Sequence, residues 1–175
     1  AIYTYQRETT PVLSNIVVND TVTGSANLAS NEVTFNANYT GTYYYLIMPA
    51  NPGVDVKKPS VSQVVFPEDN YTDDQVFMKD MKLAAGSGEA VEGDGAALER
   101  GNSFDIEYDQ SKIDSENGYY IYMVLRDRHG NYSNVEAQYF LPNKRDFALV
   151  DFEFVGDPTV ADVVKDSTIF YYEDG

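Results

Sequence analysis

NGYYIYMVLRDRHGNYSN, residues Asn117 to Asn134, is the stretch whose reading decides the fold. Tyr119, Ile121, Met123 and Leu125 alternate with Tyr120, Tyr122, Val124 and Arg126, and a period of two belongs to a β-strand. The run breaks at Asp127-Arg128-His129-Gly130-Asn131, where Gly and Asn accept the positive φ of a tight turn. It resumes in Val135, Ala137 and Tyr139, which predicts a hairpin. Upstream, Ile113 precedes Tyr119 with Asn117-Gly118 between them. Alternating strands joined by tight turns, each with an apolar face to bury, predict an antiparallel β-sandwich.

Working outward to the whole chain, 175 residues of which 43% are hydrophobic can bury a proper core. Fifteen tyrosines and nine phenylalanines against four methionines favour strands, because aromatic side chains suit a half-buried pleated surface. The expected class is all-β. Twelve Lys and Arg against 28 Asp and Glu give a net charge of -16, which repels nucleic acid as a partner. The acidity reads as solubility of a surface-displayed protein, with calcium binding as the sharper alternative. Zero cysteines remove disulfides, thiolate nucleophiles and zinc-thiolate sites. Cysteine avoidance in an acidic, Asn/Thr/Tyr-rich chain predicts a bacterial exported protein, extracellular at the cell surface or secreted, although a cytosolic chain can also lack cysteine. No apolar segment is long enough for a membrane span, Tyr43 to Met48 included, so no membrane insertion is expected. The chain starts at Ala1 without a leader, and it is expected to be a piece of a longer protein whose targeting peptide has been removed.

In chain order, residues 1–10 read as a short strand, Ile2 to Tyr5, and a polar linker that runs into Pro11. Val12, Leu13, Ile16, Val17 and Val18 are a candidate first strand, and Val33, Phe35 and Ala37 one face of a second. Thr42 to Met48 is apolar on both faces, with Tyr43, Tyr45 and Ile47 opposite Tyr44, Leu46 and Met48, which predicts a central strand. Residues 58–86 read as a helical insertion. Lys58-Pro59-Ser60 opens a turn over Val61, Val64 and Val65, and Thr72 with Gln75 has capping-box spacing. Val76, Phe77, Met81, Leu83 and Ala84 then predict an amphipathic helix from Asp73 to Ala85, stopped at Gly86. Gly86-Ser87-Gly88, Gly93-Asp94-Gly95 and Gly101-Asn102 read as loop, because Glu89, Glu92 and Asp94 would repel a phosphate. Phe104, Ile106 and Tyr108 mark the strand before Tyr119. Residues 143–175 form a short β-rich segment, either the start of a following module or a docked extension.

Pro11-Val12-Leu13-Ser14-Asn15, Glu32-Val33-Thr34-Phe35, Gly41 to Leu46, Leu83 to Gly88 and Asp127 to Asn134 agree in order and spacing with a known pattern. Over residues 11–142 the chain resembles the immunoglobulin-like, fibronectin type III-like modules found in tandem in bacterial, chiefly Gram-positive, cell-surface proteins. The resemblance places Tyr119 at the tyrosine corner. It implies a spacer or adhesion segment without catalytic residues. Its partners would be neighbouring modules of the same chain, or a host or cell-wall glycan or protein.

The side-chain chemistry agrees with a non-enzyme. His129 is the only histidine and sits in the expected turn; acyl transfer has neither a cysteine nor a Gly-x-Ser-x-Gly motif, and no two carboxylates are marked as a facing pair. No cofactor is expected apart from calcium, for which Asp69, Asp73 and Asp74 are the candidate ligands, in competition with helix capping. Tyr44, Tyr120 and Tyr122 share a sheet face and are the candidate ligand-binding residues, since a row of tyrosines stacks on sugar rings or receives a protein. The alternative function is therefore an accessory carbohydrate-binding module of an extracellular glycosidase.

Overall fold

The structure, a computed structural model, describes residues 10–21, 28–50, 57–72, 75–76, 78–79, 82–93, 102–113 and 116–142. The chain divides into two units, Ala1–Lys144 and Arg145–Gly175. The strands expected at Ile2 to Tyr5 and beyond Phe147 lie outside the described residues.

Among the described residues the chain is mostly antiparallel strand with little helix. In order these are β1 (Leu13–Thr21), β2 (Leu28–Ala37), β3 (Gly41–Pro49), α1 (Val61–Val65), β4 (Met78–Lys79), β5 (Lys82–Leu83), β6 (Ala85–Ala90), β7 (Asn102–Asp109), β8 (Tyr119–Asp127) and β9 (Glu136–Phe140). One sheet runs β1-β2-β7 and the other β6-β3-β8-β9, with β4 and β5 as a minimal separate hairpin. Period-two alternation explains how the sheets meet. Val33, Phe35 and Ala37 of β2 and Ile106 and Tyr108 of β7 share one core with Tyr43 and Ile47 of β3 and Tyr119, Ile121, Met123 and Leu125 of β8. Phe104 lies between the rings of Tyr43 and Tyr45, stacked at centroid distances of 5.0 and 4.7 Å. Each large apolar side chain so buried contributes roughly 1.5–3 kcal/mol of transfer free energy.

The turns and edges follow from particular residues. Gly118 (φ 69°) and Gly130 (φ 89°) take the left-handed conformations that the turns before and after β8 require. The Asp127 carboxylate accepts from the backbone N–H groups of His129 and Asn131, closing the second turn. In β1, Ser14 pairs Asn36 but Val17 pairs Thr34, so one extra residue is accommodated around Asn15, whose φ is 50°. That bulge re-phases the strand: Leu13, Ile16 and Val18 face the core and Val17 faces solvent.

Two buried asparagines, Asn31 and Asn102, anchor polar contacts inside the fold. The buried Tyr108 hydroxyl donates to Asn31 Oδ1 at 2.7 Å, while Asn31 Nδ2 donates to the Asn19 carbonyl. Asn102, also buried, accepts from the Val91 N–H at 2.7 Å and donates to the Val91 carbonyl at 2.9 Å, clasping the exit of β6 to the start of β7.

The helical insertion is much smaller than the sequence predicts. Ser60 and Gln63 form a reciprocal capping box for α1, which lasts five residues before a 3-10 turn at Pro67–Asp69. The expected helix from Asp73 to Ala85 is not formed: Met78–Lys79 and Lys82–Leu83 are strand, and the glycine-rich stretch read as loop is β6. Thr72 and Gln75 do make their local contact, with the Thr72 N–H donating to Gln75 Oε1 at 3.0 Å. Met78 pairs with Leu83 and Lys79 with Lys82 across the small hairpin, and β3 has ladder groups on both sides to satisfy, so pairing overrides helix propensity. β8 takes one side and β6 the other, in the register Tyr43 with Gly88 and Tyr45 with Gly86. The glycines suit this pairing. A Cβ at Gly88 would stand 2.5 Å from the Tyr43 hydroxyl and one at Gly86 2.8 Å from the Tyr45 ring, so a bare backbone leaves room for the aromatic across the strand pair.

Candidate functional site

The face of the four-stranded sheet that points away from the core carries the predicted tyrosines. Parity places Tyr44, Leu46 and Met48 of β3 on it. Register then brings Val124, Tyr122 and Tyr120 of β8 opposite them, one to one. β9 continues the face, with Tyr139 opposite Tyr120 and Ala137 opposite Tyr122. Tyr44, Tyr120 and Tyr122 are thus brought together, as expected.

Their exposure differs. Leu46, Tyr122, Val124 and Val135 are covered by Val64 of α1 and by Val76, with Val61, Val65 and Tyr71 packed at the margin. α1 and the residues after it therefore do the covering expected of the missing longer helix. Tyr122 is only 3% exposed, which removes it from contact with a ligand. Tyr44 and Tyr120 are half-buried. Tyr139, absent from the residues picked by sequence, is 43% exposed, and Leu141 just beyond it is 49% exposed. The hairpin register was the signal that could have found Tyr139.

The rings at this end are ordered against one another. Tyr120 stacks on Tyr122 at 5.9 Å and meets Tyr139 at 5.5 Å with the planes inclined by 66°. Burial holds the Tyr122 hydroxyl protonated above its usual range, reinforced by Tyr120 and Tyr71, and burial does the same to Tyr71. These phenols act at neutral pH as neutral surfaces and hydrogen-bonding groups, not as bases.

Of the candidate calcium ligands, Asp69 is exposed at the end of the 3-10 turn, and Asp73 and Asp74 lie outside the described residues. Among the described residues no three His, Cys, Asp or Glu side chains are grouped to hold a metal ion. His129 is exposed in the β8–β9 turn. Asp127 beside it is held below the ordinary carboxylate range chiefly by the Asn131 side-chain amide, with backbone N–H groups of Asn131 and His129 adding to it. Three exposed asparagines have local work: Asn38 clamps Val12 and Thr10, Asn70 donates to the Phe66 carbonyl, and Asn131 bonds Asp127. No helix among the described residues is long and apolar enough to cross a membrane. Comparison with protein-family models, curated proteins and solved structures finds no match for this chain.

Proposed function

We propose that residues 11–142 are a fibronectin type III-like module of a bacterial cell-surface protein, working outside the cell as a non-catalytic spacer or adhesion segment. The observation that carries this reading is the strand order. Sheets of order β1-β2-β7 and β6-β3-β8-β9 around one core distribute successive strands as immunoglobulin-like sandwiches do. Tyr119, buried at the head of β8 directly after the Asn117-Gly118 turn, stands where such a sandwich has its corner tyrosine. The helical addition between β3 and β6 is then an embellishment on the outer face. A charge of -16 without a single cysteine supports an exported bacterial setting. The role calls for no cofactor, and its first partners are neighbouring modules of the parent chain.

The test pairs adhesion with turnover. Beads coated with the purified chain are presented to cell-wall and host-matrix preparations, while soluble chain is incubated with peptide, ester and glycoside substrates. Bead retention, or inert behaviour on both counts, fits an adhesion segment or a spacer. Product release above the buffer control overturns the reading.

A further inference from the structure

We propose that the Tyr139 ring, with Tyr120 beside it, is a stacking platform for a sugar ring of a neutral polysaccharide. This rests on the non-catalytic module reading above and gives that module a ligand class. An exposed tyrosine is ordinarily loose, but Tyr139 is fixed. Its hydroxyl donates to the Asn117 carbonyl at 3.2 Å, and its phenol end lies over Gly118, where a Cβ would stand 2.6 Å from that hydroxyl. Tyr120 braces the ring from β8. A surface already held in place loses little freedom when a ligand stacks on it.

The surroundings favour a flat, uncharged ligand. Ala137 is exposed on the same face two residues earlier and ends at its Cβ, so the surface steps down beside the Tyr139 ring. Positions two apart on a strand are roughly 6.8 Å from each other, room for one pyranose lying against the tyrosine. The C–H face of a sugar packs on an aromatic face while its hydroxyls stay in water. A net charge of -16 opposes polyanionic glycans and equally opposes a second copy of this chain.

Affinity electrophoresis of the whole chain through native gels containing β-glucan, xylan or galactomannan tests this, with polygalacturonate as the anionic comparator. Retardation is expected in at least one neutral gel, weakened tenfold or more by Tyr139→Ala and by Tyr120→Ala, and by a smaller factor by Tyr139→Phe, which keeps the stacking face and loses the hydroxyl anchor. Ala137→Gln fills the step without touching the anchors of the ring, so it should abolish retardation while leaving the melting temperature unchanged. No retardation in any neutral gel, retardation by polygalacturonate alone, or unchanged retardation of folded Ala137→Gln overturns the platform. Dimerisation in sedimentation that Tyr139→Ala abolishes overturns it in favour of a protein partner. Reducing ends released from the gel polysaccharide would instead overturn the non-catalytic reading and leave the platform standing.

Discussion

Tyr108 carries the sharpest test at the scale of a single residue. Its hydroxyl is the buried donor to Asn31, so Tyr108→Phe removes a buried hydrogen bond from the core without changing the packing shape. The expected loss is about 1–2 kcal/mol, read from urea denaturation with an unchanged slope. Proton linkage gives a second test. Tyr43, Tyr71 and Tyr122 all bind their protons more tightly in the fold than the ordinary phenol at 10.0, mainly because burial disfavours the phenolate. Above that value the unfolded chain releases protons that the fold retains, so stability is intact below about pH 10 and falls as pH rises beyond it. Asp109 and Asp127 act in the other direction: their depressed values make stability fall once pH drops below the ordinary carboxylate value of 3.8. Thermal melts across pH should trace both limbs, and a flat alkaline limb would contradict the burial of these phenols.

The bulge in β1 shows at the scale of an element what a sequence hides. Asn15 holds a conformation that costs a branched residue dearly, so Asn15→Val should lose about 1–2 kcal/mol while Asn15→Gly is neutral or slightly stabilising, as measured by chemical denaturation. β8 was legible because alternation runs unbroken from Tyr119 to Leu125, and β3 because both of its faces are apolar. β1 was blurred, since the extra residue shifts the phase midway and makes Val17 look like core. β6 was illegible for a different reason. Its glycines have no side-chain pattern of their own, and they make sense only beneath Tyr43 and Tyr45, which lie far away in sequence. The false helix over 73–85 had true local signals, down to the Thr72–Gln75 contact, and lost to the pairing of Met78–Lys79 with Lys82–Leu83. The tyrosine face was legible from parity. The burial of Tyr122 was not, because its cover comes from α1 and Val76, and no periodicity in β8 speaks of them.

Charge governs the molecule as a whole. With 28 acidic against 12 basic side chains, self-repulsion works against the folded state, and among the described residues the ion pair between Lys112 and Asp109, at 3.6 Å and solvent-exposed, offsets little of it. Raising sodium chloride from about 10 mM to about 0.5 M, where the screening length shrinks well below 10 Å, should raise the melting temperature by a few degrees in calorimetry. A fall on adding salt would mean that attractive pairs dominate. The Asn102 clasp has a practical corollary. Because its amide holds Val91 against Asn102 through two hydrogen bonds, an insertion between them leaves that closure in place, and doubling the length of a flexible segment costs only about 0.6 kcal/mol. A foreign epitope spliced there should be carried without loss of cooperative melting, whereas the same splice in an Asn102→Ala background should not, which makes this neck the natural port for a reporter.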